Sequence, residues 1–502
     1  VRTRLPLIAA TTALITHDLV SFGRNGNVLS PYRLDLDVYR IGSLTWLHGG
    51  NLYGALPWTS ARIGLPFSYP PVAAVLLSPL AMVPMAVAGF ALTLASIALT
   101  LVVLRVFTRS LASRLSLWWL LPAALALEPV RATVSFGQVN IVLMALVTVD
   151  CLIPEPGWPR GTLVGLAAAV KLTPAAFILF FLIRRDRRAA CTAAVSFAAV
   201  TGTGFIVDWH DSVRYWTGVV FSTSRPGSPA YVSNQSISGA LARSGLDPHS
   251  PGGSAAWLAL SAVIVVIAVI GMRRAIAVGE PAWALSVNAL AALLISPISW
   301  THHWVWAAPA LMCLAVTGRR HSWRGGVAAA CAGLVLFEVA PMWLLPGTGS
   351  NGELGWAWWE QVIGDTYVIF GAVVLVLAAR FAPRYGRQPG SRAVITPTRL
   401  LSLPGRWRCP WPGACCSGCH RRRSPRRLQH NPTSCSPPRQ PSSLLALSRS
   451  SGCGAAGTAP AAIGRPTHPP SRATAQPGRT PRSTRSARRR DSRSCRASSS
   501  RH

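Results

Sequence analysis

The chain has 502 residues, half of them apolar, a mean hydropathy of +0.35 and only 13% charged residues. Soluble proteins carry roughly a quarter charged residues, so long apolar runs between short basic loops exclude an ordinary soluble fold and indicate a helical membrane protein. The formal charge of +33 is unevenly placed, because 23 arginines and a single acid, Asp491, lie from Arg387 onward.

Apolar runs fall at about 5–17, 71–106, 115–127, 139–153, 161–183, 189–207, 255–272, 281–297, 303–317, 325–345 and 366–379. A spanning helix needs about 20 residues. The 71–106 run is long enough to cross twice, with Pro79 and Pro84 offering a break. The pattern predicts an all-α polytopic bundle of about 11–12 transmembrane helices over residues 1–385. Arg184, Arg185, Arg187 and Arg188, then Arg273 and Arg274, Arg319, Arg320 and Arg324, and Arg380 and Arg384 flank helices on one side. The excess of Arg in cytoplasmic loops makes that side the cytoplasm and leaves segments 21–70, 208–254, 298–302 and 346–365 outside. Arg105, Arg109 and Arg114 are exceptions, since the same count leaves them outside.

The first outer segment follows the first run. It carries Asp35-Leu-Asp37-Val-Tyr39-Arg40, then Asn51-Leu-Tyr53, then Phe67-Ser-Tyr69-Pro70-Pro71. Acids, aromatics and turn residues in so long a connection suit either a solvated loop or a polar reaction at the lipid–water boundary. Next comes Ser135-Phe-Gly137-Gln138-Val-Asn140, with Glu128 and Arg131 nearby. Amides between two apolar runs cap helices or bind sugar hydroxyls. Lys171-Leu-Thr173-Pro174 lies inside an apolar run, and Lys171 is the only lysine in the chain. An intramembrane lysine is expensive and marks a functional site unless it snorkels to an interface. The scarcity of lysine elsewhere reads as the coding bias of a GC-rich genome.

In the large outer loop, Asn234-Gln235-Ser236 fits the glycosylation sequon. Ser296-Pro297-Ile-Ser299-Trp300-Thr301-His302-His303-Trp304 follows. Paired histidines beside tryptophan serve as metal ligands, phosphate donors or interfacial anchors. Neighbouring residues on a helix point about 100° apart, so chelation of one ion by both is awkward. Cys151, Cys191, Cys313 and Cys331 sit in or beside apolar runs and read as small core residues. The remaining segment, 386–502, is rich in Arg, Ser, Pro and Gly and is expected to be a disordered tail. Its text also fits an out-of-frame translation of GC-rich DNA, which makes its Cys416-Ser-Gly-Cys419-His420 haem-attachment pattern a chance match.

In this order, the segments D-L-x-V-Y, F-x-Y-P-P, S-x-G-Q-x-N, K-L-T-P, N-Q-S-x-x-G and S-P-x-S-W-x-H-H resemble glycosyltransferase family 87. These are membrane enzymes of the GT-C type that use polyprenyl-phosphate sugars. The resemblance spans about residues 10–385 and implies a catalytic aspartate in the first outer loop, aligned to Asp35 with Asp37 as competitor. It further implies substrate contacts from Tyr39, Arg40, Tyr69, Gln138, Asn140, Lys171, Asn234, Gln235, Arg243, His302 and His303. The expected reaction moves mannose from polyprenyl-phosphate-mannose to a glycolipid or lipoglycan, in α-1,2 linkage with inversion, on the extracytoplasmic face of the cell membrane. No cofactor and no nucleic acid are implied, while a divalent metal beside the phosphate stays open. Two other readings remain: an arabinofuranosyltransferase using decaprenyl-phosphate-arabinose, and a lipid-linked sugar transporter, which should show inverted repeats.

Overall fold

The computed structural model describes residues 32–381, apart from 223, 224, 226, 349 and 350. The first apolar run and the Arg-rich tail with its CxxCH pattern lie outside the described residues. Among the described residues the chain forms seventeen α-helices and one isolated antiparallel bridge, between Asn234 and Trp300.

Helix α1 (Leu34–Leu47) occupies the segment expected to be an outer loop, and it packs on α2 (Pro71–Ala81). Pro71 starts α2 at the position where its missing N–H costs nothing. Helix α3 (Met85–Ser110) is the first long apolar span, followed by α4 (Leu117–Ala126). Helices α5 (Glu128–Phe136) and α6 (Asn140–Leu152) form a broken pair bent by 118°. The break falls at Gly137, whose φ of +69° suits a residue without Cβ.

Helix α7 (Thr162–Val170) ends where Pro174 dictates. A proline ring clashes with the carbonyl four residues back, which is that of Val170. Lys171 is therefore extended, with φ −148° and ψ 125°. A 3-10 turn, Thr173–Phe177, then leads to α8 (Ile178–Ile183). The run 161–183 is thus a broken helix with its lysine at the break. Helix α9 (Arg187–Val207) lies close against α7. Gly161 and Gly165 make this possible, since a Cβ on either would stand 2.1 Å from the Ala189 carbonyl oxygen or 2.4 Å from that of Ala193. Small residues spaced by four let helix backbones approach without a hydrophobic driving force between them.

After α10 (Trp209–Thr217) and α11 (Ile237–Arg243) come α12 (Pro251–Ala277), α13 (Pro281–Ile295), α14 (Ala307–Arg320), α15 (Arg324–Val339), α16 (Trp358–Gly364) and α17 (Thr366–Arg380). Side chains such as Val195, Ile206, Val266 and Val335 are exposed on the long helices. A helix that is apolar all round fits a membrane environment.

The sequence pattern predicts about 11–12 transmembrane helices over residues 1–385, of which the structure describes those from 32 to 381. Among the described residues, four helices are long and apolar enough to span, or up to six when each bent pair counts as one, and four shorter apolar helices accompany them. Pro, Gly and polar residues at the breaks account for the difference. Cys151 and Cys313 are buried as expected, whereas Cys191 and Cys331 are exposed.

Candidate active site

Asp35 and Tyr39 are one helical turn apart on α1 and line the same cavity, of about 210 Å³, with Tyr69, Gln138, Lys171, Trp300 and His303. Asp37, two residues from Asp35, lies about 200° around the helix. Its carboxylate is buried and accepts the backbone N–H of Ser60 at 2.7 Å. The two acids that the linear pattern could not separate therefore sit in different places: one lines the cavity, the other ties down the loop after α1.

Gly137 sets the distance between α1 and the α5–α6 bend. A Cβ there would lie 2.9 Å from the Cβ atoms of both Arg33 and Leu36. This close approach brings Gln138 to the cavity. Gln138 Oε1 accepts the Tyr39 hydroxyl at 2.6 Å and the Tyr69 hydroxyl at 3.3 Å. Its amide nitrogen is not engaged by either hydroxyl, and Gln138 lines the cavity together with Asp35. Burial pushes the Asp35 carboxyl up to about 6, against the opposing pull of Gln138 and the Lys171 ammonium. A carboxyl in that range still ionises at neutral pH and is a stronger base than an exposed one.

Lys171 Nζ donates to Asn140 Oδ1 at 2.9 Å, contacts His303 Nε2 at 3.1 Å and stands 5.6 Å from the centroid of the Tyr69 ring. As an ammonium donates only, the pairing gives His303 an acceptor Nε2 and an N–H at Nδ1. Thr133 Oγ1 and Asn140 Nδ2 both donate to the His302 carbonyl, at 2.6 and 3.0 Å. They fix the 3-10 turn Thr301–Trp306 that presents His303. The His302 ring is buried between Phe136 and His303 and does not line the cavity. A second, apolar cavity of about 50 Å³ shares Lys171, Thr173 and His303 with the first. Leu143, Met144, Phe177, Leu293 and Trp306 are among its walls.

Besides His302, four expected substrate contacts line neither cavity. Arg40 donates to the Leu80 and Val83 carbonyls and joins α1 to the end of α2. Asn234 donates to the Pro229 and Pro297 carbonyls and accepts Ser236 Oγ and Ser299 N–H. It is fully buried, which removes it as a glycosylation acceptor. Gln235 donates to the Val232 and Gly364 carbonyls and accepts the Tyr367 N–H. Arg243 is buried in an ion pair with Asp365 and also donates to the Asn234 carbonyl. The side-chain polar groups of Asn234, Gln235 and Arg243 are already engaged within the protein, so the N-Q-S-x-x-G motif serves as a scaffold that pins the segment before His303. Gly239 completes it, since a Cβ would fall 2.2 Å from the Asn234 carbonyl oxygen. Conversely, Tyr215 lines the cavity although no local pattern singles it out. It comes from the amphipathic helix α10, more than 140 residues from Tyr69 in sequence.

A carboxylate, an ammonium and an imidazole meeting in one chamber that shares its lysine and histidine with an apolar slot suit a membrane enzyme handling a lipid-borne polar group. Comparison with known proteins states which kind. Residues 67–297 match the model of glycosyltransferase family 87. A polyprenol-phosphate-mannose-dependent alpha-(1-2)-phosphatidylinositol mannoside mannosyltransferase of Mycobacterium tuberculosis is 41% identical over 385 residues, covering 71% of this chain and 87% of the relative. Its namesake in Mycolicibacterium smegmatis is 39% identical, with 69% and 83% covered. A pentamannoside mannosyltransferase of Mycobacterium tuberculosis is 33% identical, with 67% and 78% covered. No solved structure matches the chain. The chain belongs to glycosyltransferase family 87 and is a multi-pass membrane glycosyltransferase. The family match begins after Asp35, so that residue's place rests on the geometry of α1 and not on the matched stretch.

Proposed function

We propose that the protein moves a mannosyl residue from polyprenyl-phosphate-mannose to a hydroxyl of a phosphatidylinositol-mannoside-type glycolipid, forming an α-1,2 linkage at the extracytoplasmic face. The observation that carries the reading is the convergence of Asp35 with Lys171 and His303 on one cavity. In the reaction the acceptor oxygen attacks the anomeric carbon and the bond from that carbon to the phosphate oxygen breaks. Asp35 takes the hydroxyl proton as general base. Polyprenyl phosphate departs, and its growing negative charge is met by the Lys171 ammonium and the His303 N–H. One displacement inverts a β-linked donor to an α-linked product and needs no covalent intermediate. The apolar slot beside Lys171 receives the first part of the polyprenyl chain. Tyr69, Tyr215 and Trp300 offer flat faces for sugar rings.

The names of the relatives support mannose and the phosphatidylinositol mannoside class of acceptor. The test is direct. The purified chain in lipid vesicles receives labelled polyprenyl-phosphate-mannose and phosphatidylinositol mannosides, and the product is analysed for linkage. Labelled α-1,2-mannoside is expected. Transfer from decaprenyl-phosphate-arabinose alone would replace the donor assignment, and no transfer from either would end it.

A further inference from the structure

Asp35 and Lys171 face the same cavity and attract each other, yet no nitrogen–oxygen contact within 4.0 Å joins them among the described ion pairs. In low-dielectric surroundings opposite charges this near pull strongly together. A direct pair would be self-defeating for the reaction proposed above. The carboxylate would lose basicity and the ammonium would be unavailable to a phosphate.

The lysine is instead held by an amide carbonyl, and a second amide of the same bend lines the cavity with the acid. Asn140 turns its carbonyl oxygen to Lys171 Nζ at 2.9 Å. It cannot turn the other way without cost, because its NH2 is committed to the His302 carbonyl at 3.0 Å. Gln138 is set in the opposite sense. Its oxygen is committed to the Tyr39 and Tyr69 hydroxyls, and it lines the same cavity as Asp35 with its NH2 engaged by neither tyrosine. Of the two amides of this bend, Asn140 thus presents its C=O to Lys171, while Gln138, its C=O taken by two hydroxyls, has its NH2 to offer the acid.

We propose that Gln138 and Asn140 are a pair of positioning amides that keep Asp35 and Lys171 from collapsing into an ion pair, so that one stays free to accept a proton and the other to hold a phosphate. This inference rests on the roles proposed for Asp35 and Lys171.

The test is a double-mutant cycle on binding, not on turnover. The full chain in nanodiscs is titrated with a fluorescent polyprenyl phosphate. Asn140→Leu frees Lys171 to swing to Asp35 and should weaken binding at least tenfold. Thr133 still holds the His302 carbonyl in that variant, so the turn carrying His303 keeps an anchor. Asp35→Asn alone should change binding less than threefold. In the double variant no carboxylate remains to sequester Lys171, and binding should return to within threefold of the unmodified chain. A merely structural role predicts no such rescue. If the double variant binds as weakly as Asn140→Leu, or if Asn140→Leu binds normally, the inference is overturned. Should Asn140→Leu not fold, Gln138→Leu with and without Asp35→Asn supplies the same cycle. Failure of the general-base reading would show separately, as normal turnover in Asp35→Asn whatever the binding cycle gives.

Discussion

Gly137 is where a single methyl group should separate the architecture of the site from its chemistry. The residue has φ +69° and closes α5, and a Cβ there meets the Cβ atoms of Arg33 and Leu36 at 2.9 Å. These are main-chain-anchored carbons and not flexible tips, so relief requires α1 to move. The left-handed conformation costs a residue with a Cβ roughly 1–2 kcal/mol. Overpacking of a tight contact costs a further ~1–3 kcal/mol. Gly137→Ala should therefore lose about 2–5 kcal/mol if nothing shifts, and less if α1 retreats by a few tenths of an ångström. Retreat carries Asp35 away from Gln138 and from the acceptor. Misplacement by about 1 Å costs roughly 10²-fold in rate, so a shift of this smaller size should lower turnover about tenfold. Initial rates of mannosyl transfer and thermal unfolding in detergent, measured on one preparation, read both effects. A Gly137→Ala protein with unchanged turnover and unchanged melting temperature would refute the claim that this glycine spaces α1 from the bend.

Other consequences follow from the same geometry. Asp35 must be ionised to act, and burial holds its carboxyl up to about 6. The rate should thus rise with pH through about 6, and an acid limb near 4 in a pH–rate profile would contradict the buried setting. Lys171→Met removes the cation proposed to meet the leaving phosphate and should raise the donor KM at least tenfold along with a fall in kcat, which steady-state kinetics at varied donor will show. Arg243→Gln breaks a buried pair with Asp365, a loss of about 3–5 kcal/mol. It should appear as a lower melting temperature and poor yield, while the folded fraction keeps its KM for both substrates; a selective change in KM would return Arg243 to the binding site.

The sequence makes some of this legible and hides the rest for identifiable reasons. Lys171 stands out because an ammonium in an apolar run has no cheap explanation, and Pro174 three residues on marks the break that frees it. Asp35 and Asp37 look equivalent in a line of text. Only the helical twist of α1, in a segment expected to be a loop, sends one to the cavity and the other to Ser60. Asn234, Gln235 and Arg243 form a conspicuous polar motif, but their partners Pro297, Gly364 and Asp365 lie far along the chain. Without those partners a scaffold motif reads like a binding motif. Hydropathy finds apolar runs and not their breaks, so 161–183 reads as one crossing where the chain makes two short helices around a turn. Tyr215 is invisible because nothing local links α10 to a cavity formed by five other segments.

The most direct measurement is mannosyl turnover in Asp35→Asn and Asp37→Asn side by side, in membranes containing equal amounts of folded protein. Both changes keep side-chain size and remove charge. Asp35→Asn loses the base and should fall about 10²–10⁴-fold, the usual worth of such a proton transfer. Asp37→Asn keeps an oxygen for the Ser60 N–H and should stay within about threefold of the unmodified chain. Near-normal turnover in Asp35→Asn with loss in Asp37→Asn would place the base two residues along α1, and normal turnover in both would remove it from this helix.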